Sequence, residues 1–202
     1  MNKRKLGSFA LCVILLVLCA SAEPQQPKKV PLIGYLSTAS AAVASPSIEA
    51  FREGLRQLGY IEGYNISIES RYAEEVTERL PNLAAELVKL KVSVIVATGT
   101  PATQAAKNAT KTIPIVMITV TDPVGTGLVA SLTHPSGNVT GLSNLFEDVG
   151  GKQLELLKEA FPKISHVAVL WDPANASNTL WLGELKVPAG ALRVTLQPLA
   201  GC

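Results

Sequence analysis

Three near-continuous apolar runs, Val30–Leu36, Val92–Ala97 and Ile113–Val120, constrain this chain more than any other feature. Each is too short to be a buried helix. The first two are each followed by a stretch whose apolar residues recur every three or four positions. Strands apolar on both faces belong in a parallel sheet covered by helices on either side. After the first run, Ser45-Pro46 predicts a helix start with Pro at the first helical position, and Ile48, Phe51, Leu55 and Leu58 share one face. Gly59 stands where a left-handed residue would close that helix. Residues 64–70 alternate, with Ile66 and Ile68 on one side, the pattern of a strand near a sheet edge. A helix from about Thr77 to Leu90 carries Leu80, Leu83, Leu87 and Leu90, and another runs from Thr100-Pro101 to about Thr110. The order β-α-β-α-β-α-β predicts an α/β fold with a doubly wound parallel sheet.

Residues 121–145 are rich in Gly and Pro and read as turns. A helix around Phe146–Phe161, using Leu154, Leu157 and Phe161, leads to the strand Val167–Trp171, which opens a second unit of the same design. Asn178–Val187 reads as a helix weakened by Gly183 and broken by Pro188 and Gly190. Leu192–Leu196 reads as a weak strand. So small a second sheet would leave an open face and edge, so the expectation is one complete lobe plus part of a second.

The N-terminus has its own logic. Lys3, Arg4 and Lys5 precede a 14-residue apolar run from Leu6 to Cys19, and Ala20-Ser21-Ala22 ends it. These are the three parts of an export signal over residues 1–22, followed by a polar leader at 23–29. A spanning anchor would need roughly 20 apolar residues. Leu16-Val17-Leu18-Cys19 approximates a lipidation box, but Leu18 is not the small residue such a box carries before its Cys. Periplasmic or exported placement is expected, with anchoring through Cys19 the lesser alternative. Without the signal, 15 of the 18 basic residues remain against all 16 acidic ones, a net charge of −1. No basic field is left to argue for nucleic acid. Cys12 and Cys19 leave with the signal, so only Cys202 remains and no internal disulfide is expected.

In open parallel sheets, ligands bind beyond the carboxyl ends of the strands. That rule selects the loops Ser37–Ser45, Arg71–Val76, Thr98–Pro101 and Thr119–Asp122. In the third, Thr98, Gly99 and Thr100 bring two hydroxyls to a helix N-terminus, a seat for a carboxylate. The plainer alternative is a turn with Thr100 as N-cap. Ser37 and Thr38 offer neutral hydrogen bonds. Asp122 could take an amino group or cap its own turn. Tyr35, Tyr64 and Tyr72 could stack on a ligand or lie in the core. Motifs for nucleophilic, phosphate-binding and metallohydrolase chemistry are absent from the sequence, as is any cluster with metal-ligand spacing. His134 and His166 sit in structural contexts, and Glu74-Glu75 and Glu147-Asp148 read as solvated charges. An enzyme, a cofactor and a metal are not expected.

Several stretches together carry a resemblance. They are Ile33-Gly34-Tyr35-Leu36, Ala50 through Tyr60 (AFREGLRQLGY), Ala97-Thr98-Gly99-Thr100-Pro101-Ala102, Asp122-Pro123-Val124, Pro135 through Gly141 (PSGNVTG) and Val167 through Pro173 (VAVLWDP). From about residue 31 to 178 the chain resembles the ABC-transporter substrate-binding family that includes tryptophan/tyrosine-type uptake proteins, a branch of the type I periplasmic-binding-protein fold. The resemblance implies two lobes joined by a hinge, with a small molecule, an aromatic or other amino acid, held between them. It implies delivery to a membrane permease driven by a separate ATPase. Residues 30–140 would form the first lobe and 141–202 the hinge and incomplete second lobe, with the first crossing near Gly141–Asn144. Ligand contacts would come from Ser37, Thr38, Thr98, Gly99, Thr100, Thr119 and Asp122, and across the cleft from Asp172 and Asn175. The protein would act as a monomer. Members of the family are longer, so the chain is expected to be C-terminally truncated and to bind ligand weakly or not at all. A tight amino-acid isotherm with residues 23–202 would overturn that. Two alternatives stay open: a sensory or regulatory domain on the same fold, and a non-functional fragment.

Overall fold

The computed structural model describes residues 30–135, 137–144 and 149–201. The expected signal at 1–22 with Cys19, the leader 23–29, Phe146, Glu147-Asp148 and Cys202 lie outside the described residues. The described elements belong to the unit Pro31–Cys202. In chain order they are β1 (Leu32–Ser37), α1 (Ala41–Gln57), β2 (Ser67–Tyr72), a 3-10 turn (Thr77–Arg79), α2 (Leu80–Lys89), β3 (Val94–Thr98), α3 (Thr100–Ala109), β4 (Ile115–Thr121), β5 (Val139–Asn144), α4 (Val149–Ala160), β6 (His166–Trp171), α5 (Ala176–Glu184), α6 (Lys186–Ala191) and β7 (Thr195–Ala200).

Strands β1 to β5 form one sheet in the order β2-β1-β3-β4-β5, and β6 and β7 form a second sheet. Every pairing is parallel. The doubly wound reading therefore holds. Alternation along β1 feeds two cores: Ile33 and Tyr35 pack with Ile48, Ile66 and Val96, while Leu36 packs with Leu80, Leu87, Ile95 and Ile115. Ile48 comes from α1 and Leu80 and Leu87 from α2, so helices cover both faces. The chain passes from β1 to β2 on one side and then to β3 on the other. The strand order thus reverses between β1 and β3, and their carboxyl ends, Ser37 and Thr98, flank the switch point.

Several boundaries differ from expectation, each for a local reason. Helix α1 starts at Ala41, not at Pro46, because the Ser40 hydroxyl accepts the Val43 N–H at 3.4 Å. Pro46 is then the sixth helical residue. The carbonyl it leaves without a helical partner belongs to Ala42, an exposed residue. Gly59 closes the helix as expected, at φ +83°. The N–H groups of Gly59 and Tyr60 donate to the Arg56 and Leu55 carbonyls, a Schellman closure. The turn-rich stretch 121–145 contains a strand, β5, paired to β4. Pro188 and Gly190 do not end helical structure: Pro188 is the third residue of α6, where its missing N–H would have no partner within that helix. What breaks is the continuity of α5 into α6 at Leu185. β7 begins three residues later than the alternation suggested. Phe161 and Leu90, assigned to helix faces, are exposed.

Candidate functional site

Because β1 to β5 are parallel, the four expected loops emerge along one edge of the sheet. Beside β1, Ser37 is buried and its hydroxyl accepts the Ala39 N–H at 3.2 Å. The Thr38 carbonyl accepts the Glu75 N–H at 2.9 Å. The Thr38 Oγ1 is buried and has no partner among the described residues. Glu74 and Glu75 take φ +55° and +62°, a tight left-handed turn after β2. That turn brings the Glu75 carboxylate to the Ser40 N–H at 3.3 Å. Nearby, Arg71 holds its proton more firmly than usual, chiefly through its hydrogen bond to Glu86, with Glu69 adding to it.

The Thr98-Gly99-Thr100 loop is engaged within the chain. Thr98 donates to the Tyr35 hydroxyl at 3.2 Å, and the Tyr35 and Tyr72 rings lie 6.2 Å apart, inclined at 55°. Tyr35 is a core residue, and Tyr64 is exposed. Gly99 is the N-cap of α3 at φ +87°, and its N–H donates to the Ile118 carbonyl at 2.8 Å. Thr100 is the first helical residue instead of the cap. Its hydroxyl lies 2.7 Å from the Ser177 hydroxyl, which donates to the Thr121 carbonyl at 2.7 Å. A hydroxyl has one proton. With the Ser177 proton directed to Thr121, Thr100 is the donor of the pair.

Thr119 sits at φ +54° in a bulge between Met117 and Val120, exposed, its hydroxyl bonded to the Ile118 carbonyl at 2.8 Å. Asp122 takes the capping option: Oδ1 accepts the Gly125 N–H at 2.7 Å. After β6, Asp172 Oδ1 accepts the Ala174 N–H at 2.9 Å. Asn175 is the N-cap of α5 and accepts the Ser177 N–H at 3.1 Å.

A cleft of about 700 Å³ opens between the loops after β1 and β2 and the end of β6. Thr38 and Asp172 both line it, from opposite walls. So do Glu75, Glu78, Trp171 and Asn178, none of which was singled out as a contact. Ser37, Thr98, Gly99, Thr119, Asp122 and Asn175 are not among its lining residues. Thr100 borders a smaller hollow of about 220 Å³. Glu75 lies in the loop Arg71–Val76 that the strand order selects. Ser177 had no signal beyond following a helix cap. Among the described residues, no group of His, Cys, Asp and Glu could hold a metal ion, and no helix is long and apolar enough to cross a membrane.

The comparisons agree on kinship. A family model described as ABC transporter substrate binding protein matches residues 39–200. The Tyrosine-binding protein of Clostridioides difficile (strain R20291) is 37% identical over 150 residues, covering 72% of this chain and 43% of that protein. A conserved domain protein from Vibrio cholerae has a similar structure, with a TM-score of 0.78 at 31% identity, over 86% of this chain and 58% of that one. So has an ABC domain in complex with L-Trp from Streptococcus pneumonia, with a TM-score of 0.75 at 27% identity, over 85% and 57%. The chain spans less than half the length of the curated relative it matches.

Proposed function

Since the chain belongs to the ABC transporter substrate-binding protein family, with a type I periplasmic-binding-protein-like architecture, we propose that it captures a small amine-bearing molecule, an aromatic amino acid or a close analogue, in the cleft between its two α/β units. The family binds its ligands and does not transform them. One observation supports the reading: Thr38, Glu75, Trp171 and Asp172 line one cleft at the carboxyl ends of the strands. The expected division of lobes 30–140 and 141–202 falls within β5, whose residues up to Asn144 pair with β4 in the first sheet, so in this reading the first lobe extends to Asn144 and the crossing follows it. The protein works as a monomer outside the cytoplasm and hands its cargo to a membrane permease powered by a separate ATPase. The named relatives' tyrosine and L-Trp favour an aromatic side chain, with Trp171 as its stacking surface.

Binding is expected to be weak, because Ser37, Gly99, Thr100, Asp122 and Asn175 already spend their polar groups within the chain. Titrating isotope-labelled protein with L-tyrosine and L-tryptophan should shift the Thr38 amide and the Trp171 indole N–H in NMR spectra. Asp172→Asn should reduce both shifts. A titration that leaves those two signals in place would overturn the reading.

A further inference from the structure

Resting on that reading of the cleft, we propose that Ser177 limits the chain's affinity: the segment Ala174–Asn178 plugs the ligand space, and a ligand binds only when the Thr100–Ser177–Thr121 bridge opens.

The loops that leave the carboxyl ends of parallel strands border one shared space. In this chain that space is divided into three hollows. The largest, about 700 Å³, meets Thr38 after β1 and Trp171 and Asp172 at the end of β6. A second, about 220 Å³, meets Thr100 after β3. A third, about 370 Å³, meets Thr121 at the end of β4 and is otherwise lined from α4 and α5, with Gln153 and Trp181. One segment borders all three. Ala174 lines the first and second, and Asn178 the first and third, with Ser177 beside it. Withdrawing residues 174–178 would join the hollows and bring the ends of β1, β3, β4 and β6 to a single site.

The plug is fastened at one residue. Among the described residues, the hydrogen bonds between the two units are those of Ser177, which accepts from Thr100 and donates to the Thr121 carbonyl, each at 2.7 Å. The ion pairs all lie within one unit or the other. Thr100 and Ser177 are both buried. The bridge thus closes off a donor and an acceptor that a small polar molecule could use. Ser177 plays both parts of a ligand, an acceptor for Thr100 and a donor for Thr121. A molecule carrying an acceptor beside a donor can replace it bond for bond. Until it does, only the fraction of chains with the bridge open is competent, and the apparent affinity falls by that fraction.

The chain's two tryptophans report on the plug, because Trp171 lines the first hollow and Trp181 the third. L-Tyrosine titrated into the whole isotope-labelled chain should shift both indole N–H signals and the Thr121 amide. Ser177→Ala should bind L-tyrosine about fivefold more tightly, the weight of one net hydrogen bond, although it loses stability. Ser177→Thr keeps the hydroxyl and should bind as the wild type does. An equal gain in that variant would trace the effect to packing and overturn the role of the hydroxyl. A folded Ser177→Ala chain that binds no more tightly, with Trp171 still responding, would overturn the plug and leave the capture reading standing. So would a wild-type response confined to Trp171, with Trp181 and Thr121 silent; this arm decides the matter should Ser177→Ala fail to fold. Silence at Trp171 in both the wild type and Ser177→Ala would overturn the capture reading and the plug together.

Discussion

The Thr38 hydroxyl oxygen is shut off from solvent and unpaired among the described residues. Leaving such a group unsatisfied costs about 1–3 kcal/mol. Thr38→Val keeps the branched shape and removes the polar atom. The protein should therefore gain about 1 kcal/mol in urea unfolding. An unchanged or lowered urea midpoint would show that the hydroxyl is satisfied in the folded chain. Gly141 poses the reverse case. It lies opposite Met117 at φ +140°, and an added Cβ would collide with the Met117 carbonyl oxygen. The β4 bulge that places Thr119 at the strand end depends on this close approach. Gly141→Ala should cost about 2–3 kcal/mol, read as a lowered urea midpoint with unchanged slope. An unaltered midpoint would show that the bulge relaxes freely.

Three elements meet at Ser177. Its hydroxyl, from the first turn of α5, accepts from Thr100 at the start of α3 and donates to the end of β4. The bridge is buried, so Ser177→Ala should destabilise the chain by about 1–2 kcal/mol. Thr100→Ala in the same background should add much less than it costs alone, because the two groups share one bond. Additive losses in a double-mutant cycle would mean that the two hydroxyls act separately. This bridge also marks where sequence reading stops. The strands were legible because apolar runs such as Val92–Ala97 must be buried on both faces, and their order fixed which loops would surround a site. Helix boundaries were less so: Ser45-Pro46 has the chemistry of a helix start, but Ser40 competes for the same role and wins by capping one turn earlier. Thr38 and Asp172 could be named from loop position, since each directly follows or ends a strand. Glu75 and Trp171 sit at equally selected positions, in the loop Arg71–Val76 and at the end of a strand, but their place in the cleft depends on a left-handed turn and on how the second unit meets the first. Thr100 was legible as polar and near the switch point, whereas its partner lies 77 residues away in sequence.

The two units differ in how well they enclose themselves. The first has five strands with helices on both faces, and Ile95, Ala97 and Ile115 are fully buried in its middle. The second, among the described residues, pairs only β6 with β7, and its core gathers Leu154, Val169, Leu185 and Ala189 on one face. The opposite face leaves Leu170 77% exposed. Parallel strands are normally covered on both sides, and two strands alone are marginal. In β7 the N–H groups of Thr195 and Gly201 point toward β6, so Pro198, in alternate register, puts its missing N–H on the outer edge. That edge is thereby blunted against pairing, whereas the outer edge of β6 carries no proline and no formal charge. Stability should follow this asymmetry. Native-state hydrogen exchange should show Ile95 and Val96 opening only with global unfolding, and Val167 and Val169 opening at least about 2 kcal/mol more easily. Ligand that touches Trp171 and Asp172 binds the ordered form of the second unit, so adding it should slow exchange in β6 first and leave β3 nearly unchanged. Equal protection of β3 and β6 without ligand would mean instead that the Thr100–Ser177–Thr121 bridge locks the two units into one cooperative body.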